Sequence, residues 1–318
     1  MSEFNLINHY FKSLSHDVSM KRDDVVLGIG DDCAILQVPN GQQLVVSTDT
    51  LVAGVHFPEN TSAYDIGYKS LAVNLSDLAA MGAEPAWATL CLTLPEENAD
   101  WLTGFVQGFS ELLKKNHMQL VGGDTTRGPL SISVHVSGFV DKGKAFRRDA
   151  AKPGDLIYVT GTIGDAGLGL KKILDEIETD SLSMCMNKLN HPVPRNEVAA
   201  ELSAICCCAI DVSDGLLADL GHITEVSQCG AELFLDKIPL SDELKYFYDY
   251  GVDIKQVLTS GDDYELCFTL NEKHKSRVED ISKRLNVQIS CIGKVTLGDH
   301  VICLDENNNI VDRTIFVV

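Results

Sequence analysis

The sequence has few basic residues and no long apolar run, and each shortage excludes a class of function. Of its 318 residues, 26 are Lys or Arg and 46 are Asp or Glu, which gives a formal net charge of −20. Nucleic acids and anionic lipid surfaces repel so acidic a chain, so neither is expected as a partner. No apolar run approaches the roughly 20 residues that a membrane-spanning helix needs. The first residues lack a basic segment followed by an apolar block, so we expect no secretion signal.

The ten cysteines include no Cys-x-x-Cys pair, which argues against a zinc site or a disulfide framework. The run Cys206-Cys207-Cys208 has two interpretations, a redox or metal cluster and a set of buried small apolar residues. Three consecutive side chains rarely share one ligand geometry, so the second interpretation is favoured. This usage predicts a reducing, cytoplasmic location.

The order of the predicted elements indicates an α/β fold in two domains. A chain of this length is expected to form about two domains. Residues 147–155 are polar and contain a Pro-Gly pair, so we place the boundary there, between domains 1–148 and 149–318. Apolar spacing predicts an opening amphipathic helix over residues 4–14. Strands and helices then alternate throughout, which is typical of layered α/β architecture.

Acidic residues concentrate in predicted turns that follow or interrupt apolar strands. These turns are residues 30–32, 47–50, 122–126, 211–215 and 260–263. Asp77 lies instead inside a predicted apolar helix, for which Asp65 is the expected cap, and it shares a stripe with Ser70 and Asn74. Each residue has an ordinary interpretation, because Asp favours turns and helix N-caps and could also lie on a solvated face.

The acidic residues taken together favour a cation site. Asp49 lies in a strand pattern, where Asp is disfavoured, and a buried, unpaired Asp77 would cost several kcal/mol. Two carboxylates about 4 Å apart repel by roughly 4 kcal/mol at an intermediate dielectric. If the strand ends converge, cations must lie between the carboxylates. Asp, Ser and Thr oxygens suit Mg²⁺, which bridges phosphates.

Seven segments, in order, resemble the thiamine-monophosphate kinase family of bacteria. They are GIGDDCA (28–34), STDTLVAGVHF (47–57), NLSDLAAMGAEP (74–85), GGDTTRGP (122–129), the region of Arg148, DVSDGL (211–216) and SGDDYELCF (260–268). The resemblance extends from the first helix to about Val295. It implies an N-terminal mixed sheet that forms a barrel in a two-fold homodimer, and a C-terminal α/β domain that covers the nucleotide.

The resemblance implies direct in-line transfer of the γ-phosphoryl group of ATP to thiamine monophosphate, the last step of thiamine diphosphate biosynthesis, without a covalent nucleophile. Several Mg²⁺ ions would be bound by Asp32, Ser47, Thr48, Asp49, Asp77, Asp124, Asp211 and Asp214. The nucleotide would contact Gly123, Arg148 and Ser213, and thiamine monophosphate would contact His56 and Asp262. The Gly-rich residues 160–169 lack a phosphate-loop motif and are interpreted as a strand-to-helix turn.

Three departures from the family pattern concern the substrates. Asp262 stands where the family often has Glu, and Asn116-His117 replaces an aromatic residue near the adenine. The final residues lack the family's aromatic tail, although Phe316 could still stack on the thiamine rings.

Three other functions remain open from the residues. One is a superfamily ligase such as aminoimidazole-ribonucleotide synthetase, which would use ATP to activate an amide oxygen. The superfamily that the chain resembles also includes selenophosphate synthetase and a hydrogenase-maturation protein. Another possibility is therefore a non-catalytic partner like the hydrogenase-maturation relatives, which end in a reactive Cys, whereas this sequence ends in Phe-Val-Val. The third is a Mg²⁺-dependent phosphohydrolase.

Overall fold

The computed structural model describes residues 10–11, 20–177, 182–248 and 252–311. Most of the predicted opening helix, and Phe316, lie outside these ranges. The chain divides into two compact units, Met1–Leu78 with Ala83–Gly143 and Ala79–Gly82 with Lys144–Val318. Both contain mixed sheets with helices, so the predicted α/β fold with two domains is confirmed. Among the described helices, none has the length and apolar content to cross a membrane.

A four-stranded mixed sheet organises the first unit. The elements are β1 (Val25–Leu27), β2 (Ile35–Leu36), β3 (Gln42–Val52), α1 (Ala63–Ala80), β4 (Glu84–Leu94), α2 (Ala99–Lys115), β5 (Gln119–Arg127) and β6 (Ser131–Asp141). The strand order is β3-β6-β4-β5, in which only β4 and β5 are parallel. Strands β1 and β2 form a separate antiparallel pair.

Helices α1 and α2 pack closely because each presents a glycine to the other backbone. A Cβ atom on Gly67 would lie 2.1 Å from the carbonyl oxygen of Phe105, and one on Gly108 would lie 2.1 Å from that of Tyr64. Phe105 and Phe109 are fully buried. This packing fixes α1, which carries Asn74 and Asp77.

Two local sequence predictions in this unit were wrong. Residues 122–126 are part of strand β5 rather than a turn, because Gly123 serves a close approach between strands rather than a bend. Helix α1 begins at Ala63, and Asp65 is not its cap, because the Ser62 hydroxyl accepts the backbone N–H of Asp65 at 3.1 Å.

A six-stranded sheet organises the second unit. Its elements are β7 (Leu156–Thr160), α3 (Asp165–Ile173), α4 (Ser183–Asn190), α5 (Asn196–Leu202), β8 (Cys208–Asp211), α6 (Leu216–Ser227), β9 (Gly230–Phe234), α7 (Asp242–Tyr248), α8 (Ile254–Thr259), β10 (Leu266–Leu270), α9 (Lys275–Leu285), β11 (Ile289–Thr296) and β12 (Val301–Leu304). Short 3₁₀ turns lie at Arg148–Ala150, Leu235–Lys237 and Glu272–His274. The strand order is β12-β9-β11-β7-β10-β8, in which only β12 and β9 are parallel.

Apolar side chains bury both faces of this sheet. Ile157 and Val159 of β7 belong to one core, whereas Tyr158 between them belongs to the other. This alternation is expected of a strand that is covered on both sides. The ten cysteines are all free thiols; Cys206 and Cys208 are buried and Cys207 is exposed. The interpretation of the Cys run as buried apolar residues therefore holds for two of its three members.

Candidate active site

In the first unit, a small polar cluster joins β3 to α1. Ser47 and Asp49 lie on the face of β3 toward α1, where the Ser47 hydroxyl donates a short hydrogen bond to Asp77. The backbone N–H of Asp49 donates to the side-chain oxygen of Asn74 at 3.1 Å, and the Asn74 amide donates to the Ser70 carbonyl at 3.0 Å. The predicted stripe on α1 therefore contacts the strand that carries Asp49.

The electrostatics of this cluster favour a cation. Burial, the charge of the Asp77 carboxylate and a hydrogen bond to it raise the pKa of Asp49 from 3.8 to about 6. Near neutral pH two negative groups are therefore held together in a half-buried position. Ser47, Asp49 and Asp77 present only oxygen ligands, which are the donors that Mg²⁺ prefers.

Thr48 lies on the opposite face of β3. Its hydroxyl is 2.7 Å from Nδ1 of His135, and the next outward residue, Thr50, is 2.7 Å from the Ser133 hydroxyl. Side chains alternate across a strand, so the Thr48 hydroxyl cannot join Asp49 in one set of side-chain ligands. Thr48 could join that set only through its main-chain oxygen.

Asp32, Gly123 and Asp124 line one cavity of about 580 Å³ in the first unit. Its other walls include Leu90 and the apolar residues of β5, and it also contains the exposed thiol of Cys33. Gly123 has φ of +150°, and a Cβ there would lie 1.9 Å from the Leu90 carbonyl oxygen. Only glycine fits this position, which places the adjacent carboxylate of Asp124 at the cavity.

The expected convergence of the carboxylates requires correction within the first unit. Strands β3 and β5 are the two edges of the sheet, three inter-strand spacings or about 14 Å apart. The register places Asp124 beside Cys91 and Ser133 on the face that carries Thr50, whereas Asp49 faces α1. One copy of this unit thus holds two separate acidic groups, one with Asp49 and Asp77 and one with Asp32 and Asp124.

His56 lies in the loop after β3, and one nitrogen of its ring forms a hydrogen bond with the backbone at the end of that strand. Its ring Nδ1 accepts the backbone N–H of Val52 at 3.1 Å, and the backbone N–H of His56 donates to the Val52 carbonyl at 3.0 Å. An Nδ1 that accepts a hydrogen bond leaves Nε2 as the donor of the neutral ring. Nε2 can therefore donate to a phosphate oxygen.

In the second unit, backbone hydrogen bonds join the loop at residues 212–214 to the loop at residues 261–264. The N–H of Asp262 donates to the Ser213 carbonyl at 2.9 Å, and the N–H of Tyr264 donates to the Val212 carbonyl at 2.8 Å. A Cβ on Gly261 would lie 2.3 Å from the Ser213 carbonyl oxygen. Together the loops bring Ser213, Asp214 and Asp262 to a cavity of about 470 Å³. Asp211, at the end of β8, is buried just before them.

In the loop at residues 260–264, the adjacent carboxylates of Asp262 and Asp263 have different surroundings. Asp263 is buried and accepts the N–H groups of Gly164 at 2.6 Å and Ala166 at 3.3 Å, at the start of α3. Burial raises the pKa of Asp263 well above its usual range. Asp262 and Tyr264, on either side, have positive φ of 67° and 49°. Residues 160–169 therefore form the expected strand-to-helix turn, with Asp263 as its anchor.

Asp219 is a site residue that the sequence analysis missed. Its carboxylate accepts the backbone N–H groups of Ser213 at 3.0 Å and Asp214 at 3.1 Å, and burial raises its pKa to about 6. One ligand atom from each of Asp214, Asp219 and His222 lies within 4.8 Å of the others. Helix α6 begins at Leu216 after Gly215, so Asp214 is not its N-cap. The signal available in the sequence was a second Asp five residues after Asp214.

Arg148 lies in a turn, and so do Asn116 and His117, the two residues that stand where the family has an aromatic residue. Arg148 is exposed and begins the 3₁₀ turn at Arg148–Ala150. Asn116 is the C-cap of α2, and His117 follows it with φ of +50° and accepts Arg22 at its carbonyl oxygen at 2.9 Å. The Asn116-His117 pair therefore ends a helix.

Comparison with known proteins identifies the family. The model of the family "AIR synthase related protein, N-terminal domain" matches residues 30–140, and that of "AIR synthase related protein, C-terminal domain" matches residues 152–305. A thiamine-monophosphate kinase of Salmonella typhimurium is 47% identical over 298 residues, which cover 92% of this chain and 90% of the relative. The chain belongs to the thiamine-monophosphate kinase family.

Solved structures of this family share the fold. The crystal structure of thiamine-monophosphate kinase from Stenotrophomonas maltophilia K279a has a TM-score of 0.87 and 44% identity, covering 95% of this chain and 96% of that one. A structure described as AaThiL complexed with AMPPCP and TMP has a TM-score of 0.76 and 30% identity, covering 98% of this chain and 94% of that one. Family membership thus extends over both units.

Proposed function

We propose that the protein transfers the γ-phosphoryl group of ATP to thiamine monophosphate, forming thiamine diphosphate and ADP. The observation that carries this proposal is the 47% identity to a thiamine-monophosphate kinase over 92% of the chain. A family member complexed with AMPPCP and TMP supports the same pair of substrates. The transfer is direct and in line, because two bound phosphates need positioning and charge neutralisation more than a covalent intermediate on the protein.

The acidic residues are proposed to bind Mg²⁺, and the bound ions to offset the negative charge of the substrates. Asp49 and Asp77, with Ser47, would hold one Mg²⁺ through their oxygen atoms, and Asp32 and Asp124 would hold a second. In the second unit, Asp211 and Asp214 would provide further carboxylate ligands for Mg²⁺. Mg²⁺ held by these residues would supply positive charge that offsets the negative charge of the two phosphates. This supply of cations lets a protein of charge −20 bind two anionic substrates.

The remaining residues recognise the substrates. Gly123 presents its backbone to the nucleotide phosphates, Ser213 its hydroxyl, and Arg148 its planar guanidinium. The N–H of Ser213 is already donated to Asp219, so the hydroxyl is its free donor for phosphate. His56 donates from Nε2 to thiamine monophosphate, and the carboxylate of Asp262 attracts its cationic thiazolium ring.

One assay tests this activity against its alternatives. Purified protein with ATP, Mg²⁺ and thiamine monophosphate is expected to form thiamine diphosphate and ADP in equal amounts. Release of inorganic phosphate without an acceptor would indicate a phosphohydrolase. Consumption of ATP only with an amide-bearing ribonucleotide would indicate a ligase. ATP turnover that requires a partner protein would place the chain with the hydrogenase-maturation relatives.

Mg²⁺ binding should stabilise the protein more at pH 7.5 than at pH 5. The raised pKa of Asp49 means that its contribution to the unfolding free energy is full below about pH 4 and is lost as the pH rises through about 6. Above that pH both carboxylates are charged, and Mg²⁺ relieves their repulsion. Differential scanning fluorimetry with and without Mg²⁺ measures the shift in Tm. An equal shift at both pH values, or the same pH dependence in Asp49→Asn, would contradict this coupling.

We further propose that the protein is a homodimer joined through the first-unit sheets. Large apolar side chains are exposed on β1, β2 and β3, as is typical of a surface that another chain covers; they are Val26, Ile35, Leu36, Leu44 and Val46. The separation of Asp49 from Asp124 in one copy supports the same proposal, because a two-fold partner can bring the second group to the first. We place the domains at residues 1–148 and 149–318, a boundary that lies five residues after Gly143, so that Arg148 belongs to the second compact unit. We place the protein in the cytoplasm, in keeping with its ten free thiols.

Mixing two inactive variants tests whether Asp49 and Asp124 come from different copies. Asp49→Asn and Asp124→Asn are each expected to be inactive, but a hybrid dimer would keep one site with both native residues. Random mixing yields half hybrids, so activity should return to roughly a quarter of the wild-type value. The measurement is thiamine diphosphate formation after co-expression with two affinity tags. No recovery in purified hybrids would show that both residues serve the same copy's site.

A further inference from the structure

The turn around Arg148 is fastened to the last residue of helix α6. The hydroxyl of Ser227 donates to the carbonyl oxygen of Arg148 at 2.7 Å and accepts the N–H of Ala151 at 3.2 Å. The N–H of Arg147 donates to the Cys207 carbonyl at 2.8 Å. One hydroxyl thus holds both ends of the 3₁₀ turn from which the Arg148 side chain projects.

The other end of α6 holds the loop of Ser213 and Asp214. Asp219, in the first turns of the helix, accepts both of their N–H groups and is 2% exposed. The helix has 12 residues, so at 1.5 Å per residue it is about 18 Å long. Leu216, Leu220 and Ile223 are fully buried beneath it, which fixes it in the core.

Neither the Ser227 nor the Asp219 side chain caps helix α6. The backbone N–H groups of Gln228 and Cys229 already donate to the carbonyls of the last turn, with Gln228 in the left-handed conformation. The N-cap is Gly215, which has no side chain to cap with. The Ser227 side chain instead forms hydrogen bonds with the turn of Arg148, and the Asp219 side chain forms them with the loop of Ser213 and Asp214.

We propose that α6 sets the relative placement of the two nucleotide-binding segments of the second unit, with Ser227 as a positioning residue for Arg148 and Asp219 as a positioning residue for Ser213 and Asp214. This inference rests on the proposed function, which gives Arg148 and Ser213 to the nucleotide. Neither Ser227 nor Asp219 needs to touch the nucleotide itself, because each acts through the backbone of a residue that does.

The test of the Ser227 end measures binding of AMPPCP with Mg²⁺ by calorimetry, together with steady-state kinetics. Ser227→Ala should raise the Kd of AMPPCP and the KM for ATP about fivefold, the equivalent of one ordinary hydrogen bond, without changing the KM for thiamine monophosphate. Ser227→Thr keeps the hydroxyl and should restore both values. Ser203→Ala is the matched control, since Ser203 follows α5 in the same unit and donates only to Ala200 at 2.6 Å.

A double-mutant cycle separates this inference from the proposed function. If Ser227 acts through Arg148, Ser227→Ala should add nothing to the rise in Kd caused by Arg148→Ala. Additive effects, or an unchanged Kd in Ser227→Ala while Arg148→Ala weakens binding, would overturn the positioning role alone. An unchanged Kd in Arg148→Ala would overturn the assignment of Arg148 to the nucleotide, and the Ser227 role with it.

Asp219→Asn tests the other end with an acceptor oxygen retained. It should raise the Kd of AMPPCP less than Asp219→Ala does. The effect of Asp219→Asn should be smaller in the Ser213→Ala background, and it should vanish when Ser213→Ala and Asp214→Asn are combined. Circular dichroism confirms that each variant keeps its helix content before binding is measured. Equal affinity in wild type and Asp219→Asn, together with an unchanged Kd in a folded Asp219→Ala, would remove Asp219 from the proposal.

Discussion

Replacing Asp49 with asparagine will lower the rate of thiamine diphosphate formation at saturating substrates by at least about 100-fold. That is the order of loss expected when one group that organises transition-state charge is removed. The reason is the pair formed with Asp77, since asparagine keeps the shape of the side chain but removes one of the two charges that we propose to bind Mg²⁺. Steady-state assays over a range of Mg²⁺ concentrations measure the loss.

The fold should survive this substitution, and its stability separates a ligand from a structural residue. Asp49→Asn removes a repulsion, so without Mg²⁺ at pH 7.5 the Tm should equal or exceed that of the wild type. Asp141→Asn is the matched control, because Asp141 is exposed at the end of β6 and accepts Gln42 at 3.2 Å. Near-normal turnover in Asp49→Asn would exclude Asp49 as a ligand, and a large fall in Tm would make it structural.

Gly123→Ala will lower both activity and stability. The new methyl group would lie 1.9 Å from the carbonyl oxygen of Leu90, so β5 must move away from β4. Backbone strain and overpacking together are expected to lower the unfolding free energy by about 2–5 kcal/mol. A displacement of about 1 Å at the cavity of Asp124 is expected to cost roughly 100-fold in rate. Denaturant unfolding and the kinase assay measure the two effects.

Gly298→Ala separates steric conflict from backbone strain. Gly298 has φ of +134°, close to the +150° of Gly123, but a Cβ there would meet no atom within 4 Å. This control should lose only the smaller strain contribution, about 1–3 kcal/mol, and keep its activity. If the two variants lose equal stability, the approach to Leu90 is not what requires glycine at position 123.

Strand and helix positions in the first unit could be predicted where the apolar pattern is long. The apolar pattern indicates a strand at residues 44–52 and a helix at residues 100–115, and β3 and α2 begin within two residues of these segments. Because side chains alternate along any strand, the same pattern places Asp49 and Thr48 on opposite faces. The pair of Asp49 and Asp77 followed from two such local rules.

The arrangement of the acidic groups could not be predicted, because it depends on strand order. No local rule places β3 and β5 at opposite edges, and so none separates Asp49 from Asp124. Glycines were interpreted as turn formers at residues 122–123, although Gly123 serves a close approach inside a strand. Asp219 and Ser227 act through contacts with the backbone of other loops, which spacing along the chain does not reveal. Helices α4 and α8, of eight and six residues, were missed.

The left-handed backbone at Asp262 and Tyr264 limits how this enzyme can be redesigned. The backbone has positive φ at residues 262 and 264, on both sides of the buried Asp263, and Asp262 lines the cavity. Asn, Asp and Gly adopt such angles at low cost, whereas Val, Ile and Thr do not. On the proposed contact of Asp262 with thiamine monophosphate, a library that aims to broaden the choice of organic substrate should vary neighbouring cavity residues such as Leu170 and Leu174, and keep position 262 as Asn, Asp or Gly.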